Sequence, residues 1–284
     1  MGRSGDRARG IAAAVTLRLA WFTTARGSGS RAMFEAVLGA ISEGTLDAQV
    51  VAVVCNRESG EDAVTDAFFD RVRDASIPLV TVSSVGFRRR AGGERSAHGA
   101  PLPAWRAEFD RAVDAALAPY EFDLGVLAGY MLVFGHEFVQ RHPLLNLHPA
   151  LPGGPAGTWR EVIRRLIRER ATESGVMLHL AIAAVDQGPV VAYCRYALRT
   201  PALDDLRAAL PAEPATMSDE ALDATPLFGA IRALGVLRES PLLVATLREF
   251  GAGRLRTSGA RVLDADGAPA LPADLTTEVD ALLD

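Results

Sequence analysis

The feature that most constrains this chain is an alternation of short apolar runs with longer amphipathic segments. LRLAWFTT (17–24), AQVVAVVCNR (48–57) and PLVTVS (78–83) are nearly unbroken apolar stretches. A strand covered on both faces reads this way, because both sets of alternate side chains meet apolar neighbours. Between them, RAMFEAVLGAISEG (31–44) places Met33, Phe34, Val37, Leu38 and Ile41 at helical spacing, and EDAVTDAFFDRVRDASI (61–77) is amphipathic. Strand, helix, strand, helix, strand in that order predicts a parallel sheet with helices on its faces.

The alternation continues. WRAEFDRAVDAALAPY (105–120) reads as helix, FDLGVLAGYM (122–131) as a buried strand, FGHEFVQRHP (134–143) as a short helix, LLNLHP (144–149) as a strand and TWREVIRRLIRER (158–170) as a helix. GVMLHLAIAAV (175–185) and GPVVAYCRYAL (188–198) flank a DQG turn, which predicts a hairpin. Residues 86–104, rich in Gly, Pro and Arg, read as loop, and 200–226 as loop with one short helix. LFGAIRALGVLRESPLLVATLREF (227–250) reads as a helix interrupted near Pro241, and the tail as a hairpin turning at Asp266-Gly267. The expected fold is α/β: a doubly wound, mostly parallel, Rossmann-like sheet with a C-terminal helix and hairpin elaboration. The expected organisation is a loose tail at 1–16, an α/β domain at 17–199 and an extension at 200–284 packed on the same domain.

Of 284 residues, 49% are hydrophobic and 23% charged, enough for a sizeable core. The net charge of −5 gives no general attraction to nucleic acid or an anionic membrane. No run reaches the roughly 18 apolar residues of a membrane span, and Arg18 interrupts the only stretch resembling a signal peptide. Cys55 and Cys194 are far apart in sequence, which points to free thiols in a reducing, cytoplasmic setting. No His, Cys or carboxylate cluster has metal spacing, so no metal is expected. Pairing into a homodimer stays open.

Two features carry chemistry. ARGSGSR (25–31) lies between a strand and a helix, where backbone N–H groups can receive an anion, although a plain capped turn reads the same way. Asn146 and His148 stand two apart in a strand, so they project to one side, at the carboxyl edge where open α/β sheets bind ligands. An amide beside an imidazole suits carbonyl chemistry: one steadies an oxyanion, the other moves a proton. Asp186 by itself reads as a turn residue, and His179 as a satisfied strand histidine. The run Arg88–Arg90 reads first as a solvated face and second as an anion clamp.

Together these pieces make the chain resemble the folate-dependent formyltransferases, most closely the branch acting on glycinamide ribonucleotide (GAR). Asn146-Leu147-His148-Pro149 and Asp186-Gln187-Gly188-Pro189-Val190 match that family's two catalytic motifs. GSGSR (27–31) is similar to its phosphate loop, VVCNR (53–57) to a strand end, and RESPLLVATLREFGAGRL (238–255) to its C-terminal helix. The resemblance implies Asn146, His148 and Asp186 as catalytic residues and 10-formyltetrahydrofolate as the donor. It implies a donor site near Met131, Leu132, Val133, Ala183, Val185 and Asp186. It places a small anionic amine, GAR being the best match, on Gly27, Ser28, Gly29, Ser30, Arg31, Arg106 and Glu239. The chain departs from the pattern in Arg31, in Gln187, in Leu243-Val244 and in PGGPAGTW (152–159), which lacks the family's histidine pair. Those departures leave open another amine acceptor, such as an amino-sugar or amino-nucleotide, and a non-catalytic folate or nucleotide binder.

Overall fold

In the computed structural model, residues 16–95 and 101–283 are described; the expected tail, apart from Thr16, lies outside them. The strands are β1 (Leu17–Thr23), β2 (Ala48–Cys55), β3 (Leu79–Thr81), β4 (Leu124–Leu127), β5 (Leu144–His148), β6 (Glu173–Leu180), β7 (Val190–Ala197), β8 (Leu255–Ser258), β9 (Arg261–Asp264) and β10 (Ala273–Asp274). The helices are α1 (Ser28–Ser42), α2 (Ala63–Asp74), α3 (Ser84–Arg90), α4 (Trp105–Leu117), α5 (His136–Arg141), α6 (Trp159–Arg168), α7 (Pro201–Ala208), α8 (Asp219–Asp223), α9 (Pro226–Gly251) and α10 (Thr276–Asp280). Eight strands form one sheet in the order β10-β7-β6-β5-β4-β1-β2-β3. The block from β5 to β3 is parallel, whereas β6 runs antiparallel to both β5 and β7. This is the mostly parallel, Rossmann-like α/β architecture expected.

The continuous apolar runs are explained by two cores. In β1, Leu19 and Trp21 enter one hydrophobic cluster, with α1, α6 and α9, while Ala20 and Phe22 enter the other, with α4 and α5. Strand order reverses between β1 and β4, so the loops following them part there and open a crevice. Thr24 closes the base of that crevice: its N–H donates to the Gly129 carbonyl at 3.1 Å, and its hydroxyl accepts from the Met131 N–H at 2.9 Å.

Four expectations are corrected. Residues 84–90 form a helix rather than loop, because the Ser83 side chain caps the Gly86 N–H at 2.8 Å and Arg88–Arg90 occupy the last turn, where cations favour the helix dipole. α9 runs unbroken through Pro241. The carbonyl freed by the proline belongs to exposed Leu237, where solvent can satisfy it. The region 200–226 holds two α-helices, α7 and α8, each with a side-chain cap, and a 3-10 turn at Pro214–Thr216. The tail hairpin β8–β9 turns between Ser258 and Arg261, and Asp266-Gly267 forms the next turn, with the Asp264 N–H donating to the Ala268 carbonyl. Among the described residues, no helix is long and apolar enough to cross a membrane.

Candidate active site

The carboxyl ends of β1, β2, β4 and β5 deliver their following residues to the crevice. Two cavities meet there, of about 830 Å³ and about 260 Å³, and Asn146 and Asp186 line both. Asn146 arrives from β5, opposite His179 of β6. Asp186 arrives from the β6–β7 connection with φ +57°, a left-handed conformation that Asp tolerates better than most residues. Gly188, two residues on, cannot carry a side chain: a Cβ there would fall 1.6 Å from the Leu180 carbonyl oxygen.

His148 is 3% exposed. Its Nε2 lies 2.8 Å from the Pro155 carbonyl oxygen and its Nδ1 3.5 Å from Asp186 Oδ2. A carbonyl only accepts, so Nε2 carries a proton and Nδ1 is the nitrogen left to act as a base. A proton taken up on Nδ1 would face the Asp186 carboxylate. Burial pushes the Asp186 carboxyl up, but its surroundings, the charge of His148 and the Gly157 N–H among them, outweigh it, and the net shift is below the ordinary value. The segment PGGPAG therefore has a structural task. Pro155 anchors one side of His148, and Gly157, at φ +107°, brings its N–H to Asp186.

The two cavities differ in chemistry. The smaller one is mostly apolar, with Leu132, Val133, Ile182 and Val185 in its wall, and Met131 at its mouth is 77% exposed. Tyr130 and Phe134 stack at 4.9 Å, and Phe134 and Phe138 at 4.0 Å, which makes a stiff backing. The larger cavity is lined by Arg26, Arg57, Arg160 and Arg232, and by the amino end of α1 at Gly27, Gly29 and Ser30. No side chain caps α1, and Ser30 Oγ donates to the Gly27 carbonyl at 2.8 Å. Glu239 of α9 closes this cavity, paired with Arg232 at 2.6 Å. Among the described residues, no group of three or more His, Cys, Asp or Glu could hold a metal ion.

Residues 23–202 match the family model described as formyl transferase. The chain belongs to this family. A phosphoribosylglycinamide formyltransferase from Mycobacterium tuberculosis is 30% identical over 177 residues, which are 62% of this chain and 68% of that protein. The enzyme of the same name from Saccharomyces cerevisiae is 29% identical over 170 residues, 57% of this chain and 75% of that one. Among solved structures, a phosphoribosylglycinamide formyltransferase from Coxiella burnetii superposes with a TM-score of 0.60 over 90% of this chain and 97% of its own, at 24% identity. That likeness shows the fold.

Against this formyltransferase frame, the site residues expected from sequence fall into groups. Asn146, His148 and Asp186 converge. Met131, Leu132, Val133 and Val185 line the smaller cavity with Asp186, but Ala183 does not. Gly27, Gly29, Ser30 and Glu239 line the larger one. Ser28 does not, and Arg31 turns away, donating to the Val64 carbonyl on α2 at 3.4 Å. Arg106 is 1% exposed and lies behind the loop beside the smaller cavity, where Nη2 donates to the Val133 carbonyl at 2.5 Å. Contributors not foreseen include His179, Trp159, Gly157 and the four arginines Arg26, Arg57, Arg160 and Arg232. Trp159 reads from sequence as part of the apolar face of α6, yet it sits at that helix's first residue, where its ring also reaches the cavity.

Proposed function

We propose that this formyltransferase moves the formyl group of 10-formyltetrahydrofolate onto the amine of a small phosphorylated acceptor, with glycinamide ribonucleotide, the substrate named for its relatives, as the first candidate. One observation carries the reading: Asn146, His148 and Asp186 converge where an apolar cavity opens into one lined by four arginines. The folate ring system suits the apolar side, between the 130–134 loop and the 181–186 connection. A phosphate suits the amino end of α1, where uncapped N–H groups and Arg57 lie together. Arg57 lines the same cavity, its guanidinium only loosely paired with Glu61 at 3.9 Å.

The chemistry follows from the positions. The amine attacks the formyl carbon, and the carbonyl π electrons move to oxygen, where an Asn146 N–H meets the developing charge. His148 Nδ1 accepts the proton lost by the attacking nitrogen, and Asp186 stabilises the imidazolium. The bond to folate N10 then breaks, and His148 returns the proton to N10. Formylated amine and tetrahydrofolate leave, and His148 ends as it began.

A second acceptor class has one observation in its favour. Trp159 has the guanidinium of Arg160 at 4.5 Å and that of Arg232 at 4.8 Å from its ring, a wall absent from the histidine-pair pattern of the resemblance. The deciding assay measures tetrahydrofolate release with GAR, then with a panel of amino-sugar phosphates and amino-nucleotides. Turnover of GAR at kcat/KM above about 10⁴ M⁻¹s⁻¹ supports the first candidate. Turnover only with another amine moves the acceptor assignment, and no turnover with any amine leaves a folate binder. Arg57→Ala should raise the KM for a phosphorylated acceptor by about tenfold or more, the value of one charged hydrogen bond, with the donor KM unchanged. An equal rise in both would remove Arg57 from the acceptor side.

A further inference from the structure

Asn146 and His179 are direct partners across β5 and β6. His179 is buried in strand β6. Its Nδ1 lies 3.1 Å from the Leu180 carbonyl oxygen, and its Nε2 lies 3.2 Å from Asn146 Nδ2. The carbonyl can only accept, so Nδ1 bears the ring proton. In the neutral ring Nε2 then holds a lone pair, and an amide N–H is the donor that matches it. Asp186 Oδ1 stands 3.6 Å from the same Nε2, beyond hydrogen-bonding reach.

We infer that His179, as its Nδ1–H tautomer, fixes which way the Asn146 carboxamide points. It is a positioning residue, because it acts through Asn146, and the inference rests on the formyl-transfer reading. The two ends of a carboxamide have nearly the same shape and opposite polarity. Turned over, Asn146 would set its oxygen against the His179 lone pair and the Asp186 carboxylate. It would also turn the polarity of its cavity side against a developing oxyanion. In the arrangement present, one N–H is engaged by His179 at 3.2 Å. The other meets Asp186 Oδ1 at 3.5 Å, the outer limit of a hydrogen bond, and is the one a formyl oxygen can take over.

Two measurements test this. Nitrogen-15 spectra of the histidine rings of the intact protein at neutral pH, with His179 assigned by the signal lost in His179→Gln, should show Nδ1 protonated and Nε2 bare. A proton on Nε2, in the other tautomer or in the imidazolium, overturns the inference. In kinetics, His179→Phe should lower kcat by tenfold or more, approaching the 10²–10³ typical of a lost oxyanion donor, with the donor KM held within about twofold. His179→Gln, whose side-chain carbonyl can accept from Asn146, should recover most of that loss. A Phe variant as fast as wild type, or a Gln variant as slow as Phe, also overturns it. Where His179→Phe does not fold, the ring spectrum and the Gln variant decide. A wild-type protein that formylates no amine removes the formyl-transfer reading, while the ring spectrum still decides the Asn146 orientation.

Discussion

Asp186→Asn lowers kcat by roughly 10²–10⁴-fold, the range for removing one partner from general acid–base catalysis, while the protein stays folded. Asn has nearly the shape of Asp and tolerates the left-handed φ of +57° at this position about as well. The substitution therefore removes charge and little else. What is lost is the carboxylate 3.5 Å from His148 Nδ1, which favours the proton that His148 takes from the attacking amine in the proposed mechanism. His148→Ala should fall at least as far, since it removes the base itself. Steady-state kinetics with circular dichroism on the same samples checks both. A variant that keeps a third of the wild-type kcat would end the assigned roles.

The same substitution has a signature in stability. Burial raises the Asp186 carboxyl, but its surroundings, the charge of His148 and the Gly157 N–H among them, lower it further, so its native pKa lies below the ordinary value. A group lowered on folding binds its proton less readily in the native state than in the unfolded chain. Its contribution is fully present above the unfolded pKa of about 4 and disappears as pH falls through the lower native value. The melting-temperature gap between wild type and Asp186→Asn should therefore shrink below about pH 4. A gap that widens on acidification would reverse the sign of the interaction.

What the sequence revealed, and what it hid, follows from the range of each signal. The central strands were legible because burial on both faces leaves a continuous apolar run, seen in Leu19–Phe22 and Val50–Cys55. Asn146 and His148 were legible because polar side chains two apart in such a run must share a face. Asp186 has no local signal, and only the resemblance to the formyltransferases raised it above a turn residue. His179 was hidden for a related reason. A histidine between Leu178 and Leu180 looks like a core residue until β6 is paired antiparallel to β5 and sets it opposite Asn146. That register is a tertiary fact. The Arg88–Arg90 helix was hidden by composition, since glycines and arginines suggest loop, while one serine cap and the contact of Phe87 with Phe109 at 5.7 Å hold the turn together. Arg106 shows the limit of transferring a role by position: sequence placed it on the acceptor, and packing places it behind the loop at 130–135, donating to the Val133 carbonyl.

That placement makes Asp110 a position where one substitution should cost the fold heavily. Arg106 and Asp110 lie one turn apart on α4, 3.7 Å from each other, and both are buried. Burial lowers the Arg106 guanidinium and raises the Asp110 carboxyl, the response of two charges that depend on each other once out of water. Each also grips the loop beside the smaller cavity. Arg106 Nη2 donates to the Val133 carbonyl at 2.5 Å, and Asp110 accepts from the Gly135 N–H at 2.6 Å. Asp110→Ala removes the counter-charge and the acceptor together, and should cost about 3–5 kcal/mol, as expected for leaving a buried charge without its partner. At the 2–4 °C per kcal/mol usual for chains of this size, the melting temperature should fall by roughly 10 °C. Asp110→Asn keeps an oxygen for Gly135 and should lose less. If the loop shapes the donor site, both variants should raise the donor KM well above the acceptor KM under conditions where they remain folded. A stability loss below about 1 kcal/mol would mean that the pair is solvated enough to be replaced by water. The donor-side loop would then owe its shape to the Tyr130–Phe134–Phe138 stack instead of to the ion pair beneath it.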